Sequence, residues 1–385
     1  MKFDPNVLAY AQTPFYWYDT DLLRATLDEI NRSIAGRPIK VHYAIKANGN
    51  PGLLPLISSA GLGADCVSGG EIECAMNIGF RPKDICYACV GKTDREILLG
   101  MQLGIGCFNV ESIEELEIIS SLAEEYDCEA SVALRVNPDI DAHTHHYITT
   151  GLEENKFGID LSRLDEAVEK AGSLPGINLK GLHFHIGSQI TIMEPFRMLC
   201  DKINGLIDRY EKKGVQFRTI NVGGGLGVDY DDPDGHPMAP FKDYFDTLAN
   251  GIILRPGQEI HCELGRAIVA QCGSLISRVI LVKKGIGRQF AVIDAGMNDL
   301  IRPALYGAHH KIENLSAPED APTETYDVVG PVCESSDTFG KDERLPLTRR
   351  GDIIAIRSAG AYGESMASTY NMRPLVRSVY SFATE

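Results

Sequence analysis

The chain has 385 residues, of which 44% are hydrophobic, and a formal net charge of −16 at pH 7. No segment approaches the roughly 20 consecutive apolar residues of a membrane-spanning helix, so the sequence predicts no membrane role. An acidic chain without a basic block would repel polyanions, which argues against nucleic acid as a partner. The opening MKFDPNVLAYAQTP lacks a basic head followed by an apolar stretch. We therefore expect no signal peptide and a cytoplasmic location.

Ten cysteines are spread along the chain without the paired spacing of a zinc site. Cys86 and Cys89 form a lone C-x-x-C within an apolar run whose neighbours alternate between faces, so they are interpreted as buried free thiols. His143, His145 and His146 do not have the spacing of a common metal site. We therefore predict no metal centre, and reduced thiols fit a cytosolic compartment.

Short apolar runs recur along the first two thirds of the chain. A first run, PFYWYDT, precedes eight others: KVHYAIK ending at Lys46, GADCV near Cys66, ICYACV near Val90, CFNV near Val110, SVALRV near Val136, LHFHI near His185, TINV before Gly223 and EIHCE ending at Glu263. Roughly 20 to 45 residues separate successive runs, which leaves room for a helix and two loops in each unit. The sequence thus predicts eight parallel strands that alternate with helices.

Helical periodicity in the intervening segments supports this alternation. It is clearest over residues 19–30, 111–126 and 161–171, and Ser112 with Glu115 has the spacing of a capping box. A doubly wound open sheet with fewer strands would produce a similar pattern. Because there are eight units, with polar residues at many strand ends, we favour a closed (β/α)8 barrel of the TIM type.

The pattern changes after Glu263. Residues 274–296 (SLISRVILVKKGIGRQFAVIDAG) predict two strands joined by a glycine-containing turn, and further short runs follow without a long helix. This region is predicted to be an all-β domain into which the N-terminal PFYWYDT also pairs. We place the α/β barrel at residues 22–265 and the β-rich domain at residues 1–21 and 266–385.

Lys46 ends an apolar run and is followed by Ala-Asn-Gly-Asn-Pro. At a strand end of the barrel its amine would project from a largely desolvated wall. Burial would lower the pKa of the ammonium group and free its lone pair for Schiff-base formation. A strand-end lysine that simply reaches solvent is the favoured alternative when Lys46 is considered alone.

Three consecutive glycines, Gly223 to Gly225, follow the seventh run. They would let the backbone present several N–H groups to one anion, and late strand ends of such barrels commonly bind phosphate. A glycine triplet is also typical of a plain tight turn. A strand-end lysine and a phosphate site together indicate pyridoxal phosphate as the cofactor.

Pyridoxal phosphate requires an acidic partner that keeps its ring nitrogen protonated. Glu263, at the eighth strand end, is predicted to supply it. His183 and His185 would share one face of the sixth strand, and His185, the outer one, is predicted to stack on the ring. His183 is predicted to be a core histidine.

Nine segments together resemble one family. They are YAIKAN (43–48), GADCVSGGE (63–71), HTHHYITTGLEENKFGI (143–159), HFHIGSQI (183–190), NVGGGLGVDY (221–230), ELGR (263–266), DAGMNDLIRPALYGAHH (294–310), GPVCESSD (330–337) and GAYGESMASTYNMRP (360–374). The chain is similar over nearly its whole length to the diaminopimelate decarboxylases, fold-type III pyridoxal-phosphate enzymes. The resemblance implies a barrel plus a β domain, as in alanine racemase and ornithine decarboxylase.

The resemblance assigns roles to individual residues. It implies that Lys46 carries the cofactor as an imine, that His185 stacks on the ring and that Glu263 partners the ring nitrogen. The implied further cofactor contacts are Asp65, Ser188, Gly223, Gly224, Gly225, Leu264, Gly265, Arg266 and Tyr362. The implied substrate contacts are Arg266, Arg302 and Tyr306 for carboxylate, Glu334 for an amino group, and Tyr362. Cys333 is implied as the proton donor.

The resemblance also implies a homodimer with shared active sites, because in this family Cys333 and Glu334 come from the partner subunit. The sequence departs from the family at three places. Leu264 stands where proline is usual, and Gly307 and His309 replace commoner acidic and aromatic residues, so the local turn and the substrate rim are expected to differ.

The implied reaction is decarboxylation of meso-2,6-diaminopimelate to L-lysine and carbon dioxide, the last step of lysine biosynthesis. Arg302 with Glu334 suits a zwitterionic distal end of the substrate. Three alternatives are weighed against this. A lysine, ornithine or arginine decarboxylase would want an acidic distal pocket without Arg302, and a racemase would place arginine at the ring nitrogen. A non-catalytic cofactor-binding homologue would not need Lys46, Cys333 and Glu263 together.

Overall fold

The computed structural model describes residues 1–140, 156–318 and 320–381. The histidines at 143, 145 and 146 lie outside these residues. Contacts divide the chain into two compact units. One comprises residues 27–227 and 240–265, and the other comprises residues 1–26, 228–239 and 266–385.

The elements are numbered in chain order. The strands are β1 (Phe15–Tyr18), β2 (Ile39–Ala44), β3 (Gly63–Cys66), β4 (Ile85–Ala88), β5 (Cys107–Val110), β6 (Ala130–Arg135), β7 (Ile177–His183), β8 (Thr219–Asn221), β9 (Glu259–Leu264), β10 (Gly273–Lys284), β11 (Gln289–Ile293), β12 (Ile312–Asn314), β13 (Thr323–Val329), β14 (Thr338–Pro346), β15 (Ile353–Ile356) and β16 (Arg377–Tyr380). The helices are α1 (Pro5–Tyr10), α2 (Thr20–Ile34), α3 (Leu54–Ser59), α4 (Gly69–Ile78), α5 (Asp94–Leu103), α6 (Ile113–Glu125), α7 (Leu164–Ser173), α8 (Glu194–Glu211), α9 (Phe241–Gly251), α10 (Arg266–Val269) and α11 (Arg302–Tyr306).

The first unit is a closed parallel barrel in which β2 to β9 pair in sequence order and β9 returns to β2. The predicted (β/α)8 barrel is confirmed, and the open-sheet alternative is excluded. Register across the closing pair sets His42 beside Glu263 and Tyr43 beside Leu264. Because side chains alternate along a strand, His42 and Glu263 share the inner face.

Capping residues fix the helices where the sequence predicted them. Ser112 accepts a hydrogen bond from the Glu115 N–H at 3.1 Å and starts α6. The capping box is half formed, because the Glu115 carboxylate accepts the N–H of Glu111 at 2.7 Å. In α5 the box is complete between Thr93 and Glu96.

The second unit is built on an eight-stranded sheet with the order β12-β15-β10-β11-β13-β14, and β1 pairs with both β10 and β16. The predicted β-rich domain and the pairing of the N-terminal run into it are confirmed. Strands β10 and β11 form the predicted antiparallel hairpin. Phe15, Trp17 and Ile276 are fully or almost fully buried in its core, and each such side chain contributes about 1.5–3 kcal/mol through burial.

Among the helices of the described ranges, none has both the length and the apolar character needed to cross a membrane.

Candidate active site

Lys46 lies on a single turn of 3-10 helix, residues Ile45–Ala47, directly after β2. Its Nζ atom is 3.9 Å from Oδ2 of Asp65, which lies on β3. The Asp65 side chain is 1% exposed, and neither of its oxygens has a hydrogen-bond donor within the described part of the chain. Burial raises the pKa of the Asp65 carboxyl well above its usual value.

The predicted desolvation of Lys46 is wrong, because 41% of its side chain is exposed. The strand ends at Ala44, two residues before Lys46, so the lysine lies beyond the strand end rather than on the strand. The electrostatic environment of the Lys46 amine is therefore set by the nearby Asp65 carboxyl group rather than by burial.

The three glycines after β8 lie where no side chain fits. A Cβ atom on Gly223 would be 2.1 Å from the carbonyl oxygen of Phe184, and one on Gly224 would be 2.1 Å from that of Glu263. Gly223 and Gly225 have φ of +71° and +110°, values that strongly favour glycine. The backbone therefore forms a tight turn against neighbouring strand ends.

Two of these glycines use their N–H groups within the chain. Gly223 donates to Oδ1 of Asn221 at 2.9 Å, and Gly224 donates to Nδ1 of His185 at 3.3 Å. These two N–H groups are therefore hydrogen-bonded within the chain, whereas the sequence predicted that several N–H groups of this turn face one anion. Instead, the Gly224 N–H orients the imidazole of His185 and leaves the ring proton on Nε2.

His185 and Ser188 lie beyond the end of β7, which stops at His183, so the two histidines do not share a strand face as predicted. Both His185 and Ser188 are half-buried. Burial lowers the pKa of His185 well below its usual value, so the ring that accepts from Gly224 is neutral near pH 7.

Glu263 is the centre of a hydrogen-bond network inside the barrel. Its Oε1 accepts from the side-chain amides of Asn109 at 2.8 Å and Asn221 at 2.7 Å, and its Oε2 is 2.9 Å from Nε2 of His183. Burial alone would raise the pKa of this carboxyl, but His183, Lys46 and Asn221 outweigh it and hold the pKa well below its usual value. Glu263 is therefore a buried carboxylate, 7% exposed, that stays ionised.

Sequence reasoning missed His183, Asn109 and Asn221 as residues of the site. His183 is buried, as expected of a core histidine, but its contact is the Glu263 carboxylate rather than an apolar neighbour. All three are polar residues within apolar runs. Each is an even number of residues away from an inward-facing position on its strand, and this spacing is the signal that the sequence offered.

Beside Glu263 on the inner face, His42 forms a second group of polar contacts. Its Nδ1 is 3.0 Å from the carbonyl oxygen of Asp84 and its Nε2 is 3.0 Å from Nδ1 of His261. Sγ of Cys86 is 3.8 Å from Nδ1. Ligand atoms of His42, Cys86 and His261 lie within 4.8 Å of one another, but both nitrogens of His42 are already hydrogen-bonded, Nδ1 to the Asp84 carbonyl oxygen and Nε2 to His261.

The second unit holds the residues predicted to bind substrate. Arg302 starts α11 and is 6% exposed. Its Nη1 lies 2.7 Å from Nε2 of His310, and its guanidinium stands over the ring of Tyr230 at 4.8 Å. Within the described residues no carboxylate lies at ion-pair distance from Arg302, so this cation is buried without a compensating anion.

His310 is wholly buried and its tautomer follows from its partners. Nδ1 lies 2.9 Å from the carbonyl oxygen of Arg357, so Nδ1 donates and Nε2 accepts from Arg302. Burial, followed by the charge of Arg302, lowers the pKa of His310 well below its usual value. His310 and Tyr230, which packs edge-on against it at 5.0 Å, were both missed from the sequence.

Arg266, Tyr306 and Tyr362 are three further residues predicted to contact the substrate. Arg266 Nη1 donates to the hydroxyl of Tyr230 at 2.7 Å, and its guanidinium lies over the ring of Tyr362 at 4.9 Å. Tyr362 has φ of 55°, an unfavourable left-handed conformation for a tyrosine. Tyr306, the last residue of α11, is half-buried.

Cys333 and Glu334 are exposed. The Cys333 N–H donates to Oδ1 of Asn371 at 3.2 Å, and the Tyr370 hydroxyl donates to Oε1 of Glu334 at 2.5 Å. Cys333 and Glu334 thus both lie on the surface of the second unit.

The structure shows where the three residues that differ from the family pattern lie. Leu264 is 1% exposed and ends β9, and a Cβ atom on the following Gly265 would be 2.9 Å from that of Ala47. Gly307 caps α11 with φ of +61°, which explains a glycine at that position. His309 is half exposed, with Nε2 3.3 Å from Oδ1 of Asp231.

Comparison with known proteins agrees with this geometry. Residues 21–270 match the family model "Pyridoxal-dependent decarboxylase, pyridoxal binding domain". The chain is 56% identical over 365 residues to the diaminopimelate decarboxylase of Bacteroides thetaiotaomicron, covering 94% of each chain. It is 43% identical to that of Vibrio cholerae, covering 95% of this chain and 87% of the relative.

Solved structures give the same relationship. Diaminopimelate decarboxylase from Helicobacter pylori complexed with L-lysine superposes with a TM-score of 0.92 at 40% identity, over 98% of this chain and 93% of that one. Lysine/ornithine decarboxylase from Vibrio vulnificus has a TM-score of 0.83 at 20% identity, which shows a shared fold. The chain belongs to the diaminopimelate decarboxylase family, carboxy-lyases within the pyridoxal-dependent decarboxylases.

Proposed function

We propose that this enzyme uses pyridoxal 5'-phosphate to decarboxylate meso-2,6-diaminopimelate to L-lysine, the last step of lysine biosynthesis. The observation that carries the substrate assignment is the buried Arg302 guanidinium, which has no carboxylate partner among the described residues. A buried, uncompensated charge is costly, and a substrate carboxylate would offset that cost. Guanidinium groups bind planar carboxylates through two parallel hydrogen bonds.

The barrel residues fit the cofactor on their own chemistry. Asp65 has a buried carboxyl group without a hydrogen-bond donor among the described residues, Lys46 brings an amine to 3.9 Å from it, and Glu263 is held ionised. Lys46, His185, Ser188, Gly225 and Glu263 would hold the cofactor, with Asp65, Gly223, Gly224, Leu264, Gly265, Arg266 and Tyr362 as further contacts. When bound, the cofactor supplies an electron sink for the bond that breaks.

The residues of the chain have separate roles in the reaction. Lys46 would hold the cofactor through its amine in the absence of substrate. Arg302, with Arg266 and Tyr306, grips the distal carboxylate so that the carboxylate to be lost is oriented for cleavage. Glu263 keeps a proton on the ring nitrogen. Cys333 donates a proton to the carbon that has lost carbon dioxide.

A homodimer supplies the remaining contacts in this proposal. Cys333 and Glu334 are exposed in one chain, as residues that act in a partner's site must be. The β-rich domain, residues 1–21 and 266–385, would provide substrate and dimer contacts to the barrel domain, residues 22–265. All ten cysteines are free thiols, which supports a cytoplasmic location.

One experiment separates this proposal from its alternatives. Purified protein with pyridoxal phosphate is incubated separately with meso-diaminopimelate, lysine, ornithine and arginine, and carbon dioxide and the amine product are measured. We expect release of lysine from diaminopimelate only. Turnover of lysine, ornithine or arginine would support a diamine-forming decarboxylase, and no turnover of any would support a non-catalytic homologue.

Arg302→Met is expected to lower kcat/KM for meso-diaminopimelate by at least about tenfold, since about 1.4 kcal/mol corresponds to one decade and a charged hydrogen bond contributes about 1.5–3 kcal/mol. Cofactor absorbance should persist. Arg288→Met, at a 55% exposed side chain of the same unit, is the matched control. Loss of cofactor, or unchanged efficiency, would show that Arg302 is structural.

His310→Leu is expected to raise KM for diaminopimelate by about tenfold with a smaller change in kcat, because it removes the acceptor that orients Arg302. His310→Gln, whose amide oxygen can accept in place of Nε2, should restore most of the affinity. Steady-state kinetics on both variants check this. Equal KM values for the two would contradict an orienting role.

A further inference from the structure

The carboxylate of Glu263 has a definite number of acceptor positions. Each carboxylate oxygen has about two lone pairs that can accept a hydrogen bond. Oε1 already accepts from Asn109 and Asn221, and Oε2 already has the Nε2 atom of His183 at 2.9 Å. Oε1 is therefore filled, and the remaining acceptor position of this carboxylate is on Oε2.

The oxygen that can accept one more donor is thus the one shared with His183. An ionised carboxylate only accepts, so the hydrogen between the two groups is on Nε2 of His183. The other ring nitrogen, Nδ1, is buried and has no hydrogen-bond partner among the described residues. A second proton there would lack an acceptor among the described residues.

We propose that His183 is a positioning residue that acts through Glu263: its Nε2–H directs the free lone pair of Oε2 and lowers the proton affinity of the carboxylate, so that the cofactor's ring nitrogen keeps its proton. This inference rests on the proposed role of Glu263 as the partner of that nitrogen. Without the donor, the carboxylate binds a proton more tightly and draws it away from the nitrogen.

The positions of the three donors to Glu263 support a separate role for each carboxylate oxygen. His183, Asn221 and Glu263 occupy three consecutive strands, β7, β8 and β9, whereas Asn109 comes from β5. The amides of Asn109 and Asn221 hold one oxygen from two directions and fix the plane of the carboxylate. Among the residues that the structure describes, His183 is the one that hydrogen-bonds the oxygen that remains available.

The test uses the holoenzyme reconstituted with pyridoxal phosphate that carries nitrogen-15 in its ring, because the chemical shift of that nitrogen reports whether it is protonated. His183→Leu removes the donor at similar volume, and His183→Gln restores an N–H near the same place. His42→Leu is the matched control, since His42 is a buried histidine of the same barrel interior that hydrogen-bonds Asp84 and His261 rather than Glu263.

In His183→Leu we expect the ring-nitrogen signal to move toward the unprotonated position and kcat to fall about tenfold, with a smaller change in KM. His183→Gln and His42→Leu should keep the wild-type signal. If His183→Leu does not fold, His183→Met provides the same comparison, because its flexible side chain fills irregular gaps.

Two results overturn different statements. A wild-type signal in the folded, cofactor-loaded donorless variant would overturn the role of His183 and leave that of Glu263 intact. A wild-type enzyme whose ring nitrogen is unprotonated, or whose signal does not respond to Glu263→Gln, would overturn the assignment of Glu263 itself.

Discussion

Lys46→Ala is expected to abolish covalent attachment of the cofactor and, with it, measurable decarboxylation. Lys46 is the residue that brings an amine beside the buried Asp65 carboxylate, at 3.9 Å. Alanine has no amine, so the visible absorbance of the protein-bound imine should vanish. Borohydride reduction of the wild-type holoenzyme followed by mass spectrometry should locate the label on Lys46.

Lys40→Ala is the matched control for this variant. Lys40 lies on the same strand, β2, but its side chain is half exposed and its Nζ is 2.8 Å from Oε2 of Glu259. It should retain both the absorbance and the activity. Label on any lysine other than Lys46, or imine absorbance that survives in Lys46→Ala, would be incompatible with the assignment.

The fold was predictable because its signals are local. Each of the eight apolar runs became a strand of the closed barrel, and the helices between them begin close to the predicted positions. The errors lie at strand ends, where β2 stops at Ala44 and β7 at His183. Apolar residues continue into the first turn beyond these strands because that turn is also buried, so hydrophobicity overestimates strand length.

The site was predictable only in part, for a physical reason. Lys46, the glycine triplet and Glu263 carry their chemistry in their own side chains or backbone and in their position at a strand end. Asn109 and His183 act only through Glu263, at separations of 154 and 80 residues. Contacts at such separations depend on strand order and register, which the composition of one segment does not contain.

The same limit applies to the second unit. Arg302 could be singled out by charge, but its burial without a carboxylate partner and its support by His310 and Tyr230 follow from tertiary packing. The sequence shows that His310 follows Arg302 by eight residues, but it does not show that Nδ1 of His310 hydrogen-bonds the carbonyl oxygen of Arg357. Which histidine nitrogen accepts is decided by that second contact.

Glu263→Gln is expected to retain cofactor but to lower kcat by about a hundredfold or more, because a neutral amide cannot keep the ring nitrogen protonated and the electron sink weakens. The network fixes how the new side chain would be oriented. Asn109 and Asn221 both donate at the Oε1 position, so the amide oxygen of glutamine must occupy it. The amide NH2 group then takes the place of Oε2.

An NH2 group at that position donates where the carboxylate accepted. His183 can accommodate it by moving its proton to Nδ1 and accepting at Nε2, but the buried Nδ1 has no acceptor among the described residues, so the variant should fold with reduced stability. A ring nitrogen that meets this donor has no acceptor for a proton of its own. The variant should therefore hold the cofactor in its unprotonated form and bind substrate with KM close to that of the wild type.

Stopped-flow measurement of carbon dioxide release at saturating diaminopimelate separates binding from chemistry in this variant. Glu259→Gln is the matched control, since Glu259 begins the same strand, β9, with a side chain that is 44% exposed and paired with Lys40. It should leave kcat unchanged. An unaltered turnover rate in Glu263→Gln would refute the proposed role, because electrons from the breaking bond would then be accepted without a protonated ring nitrogen.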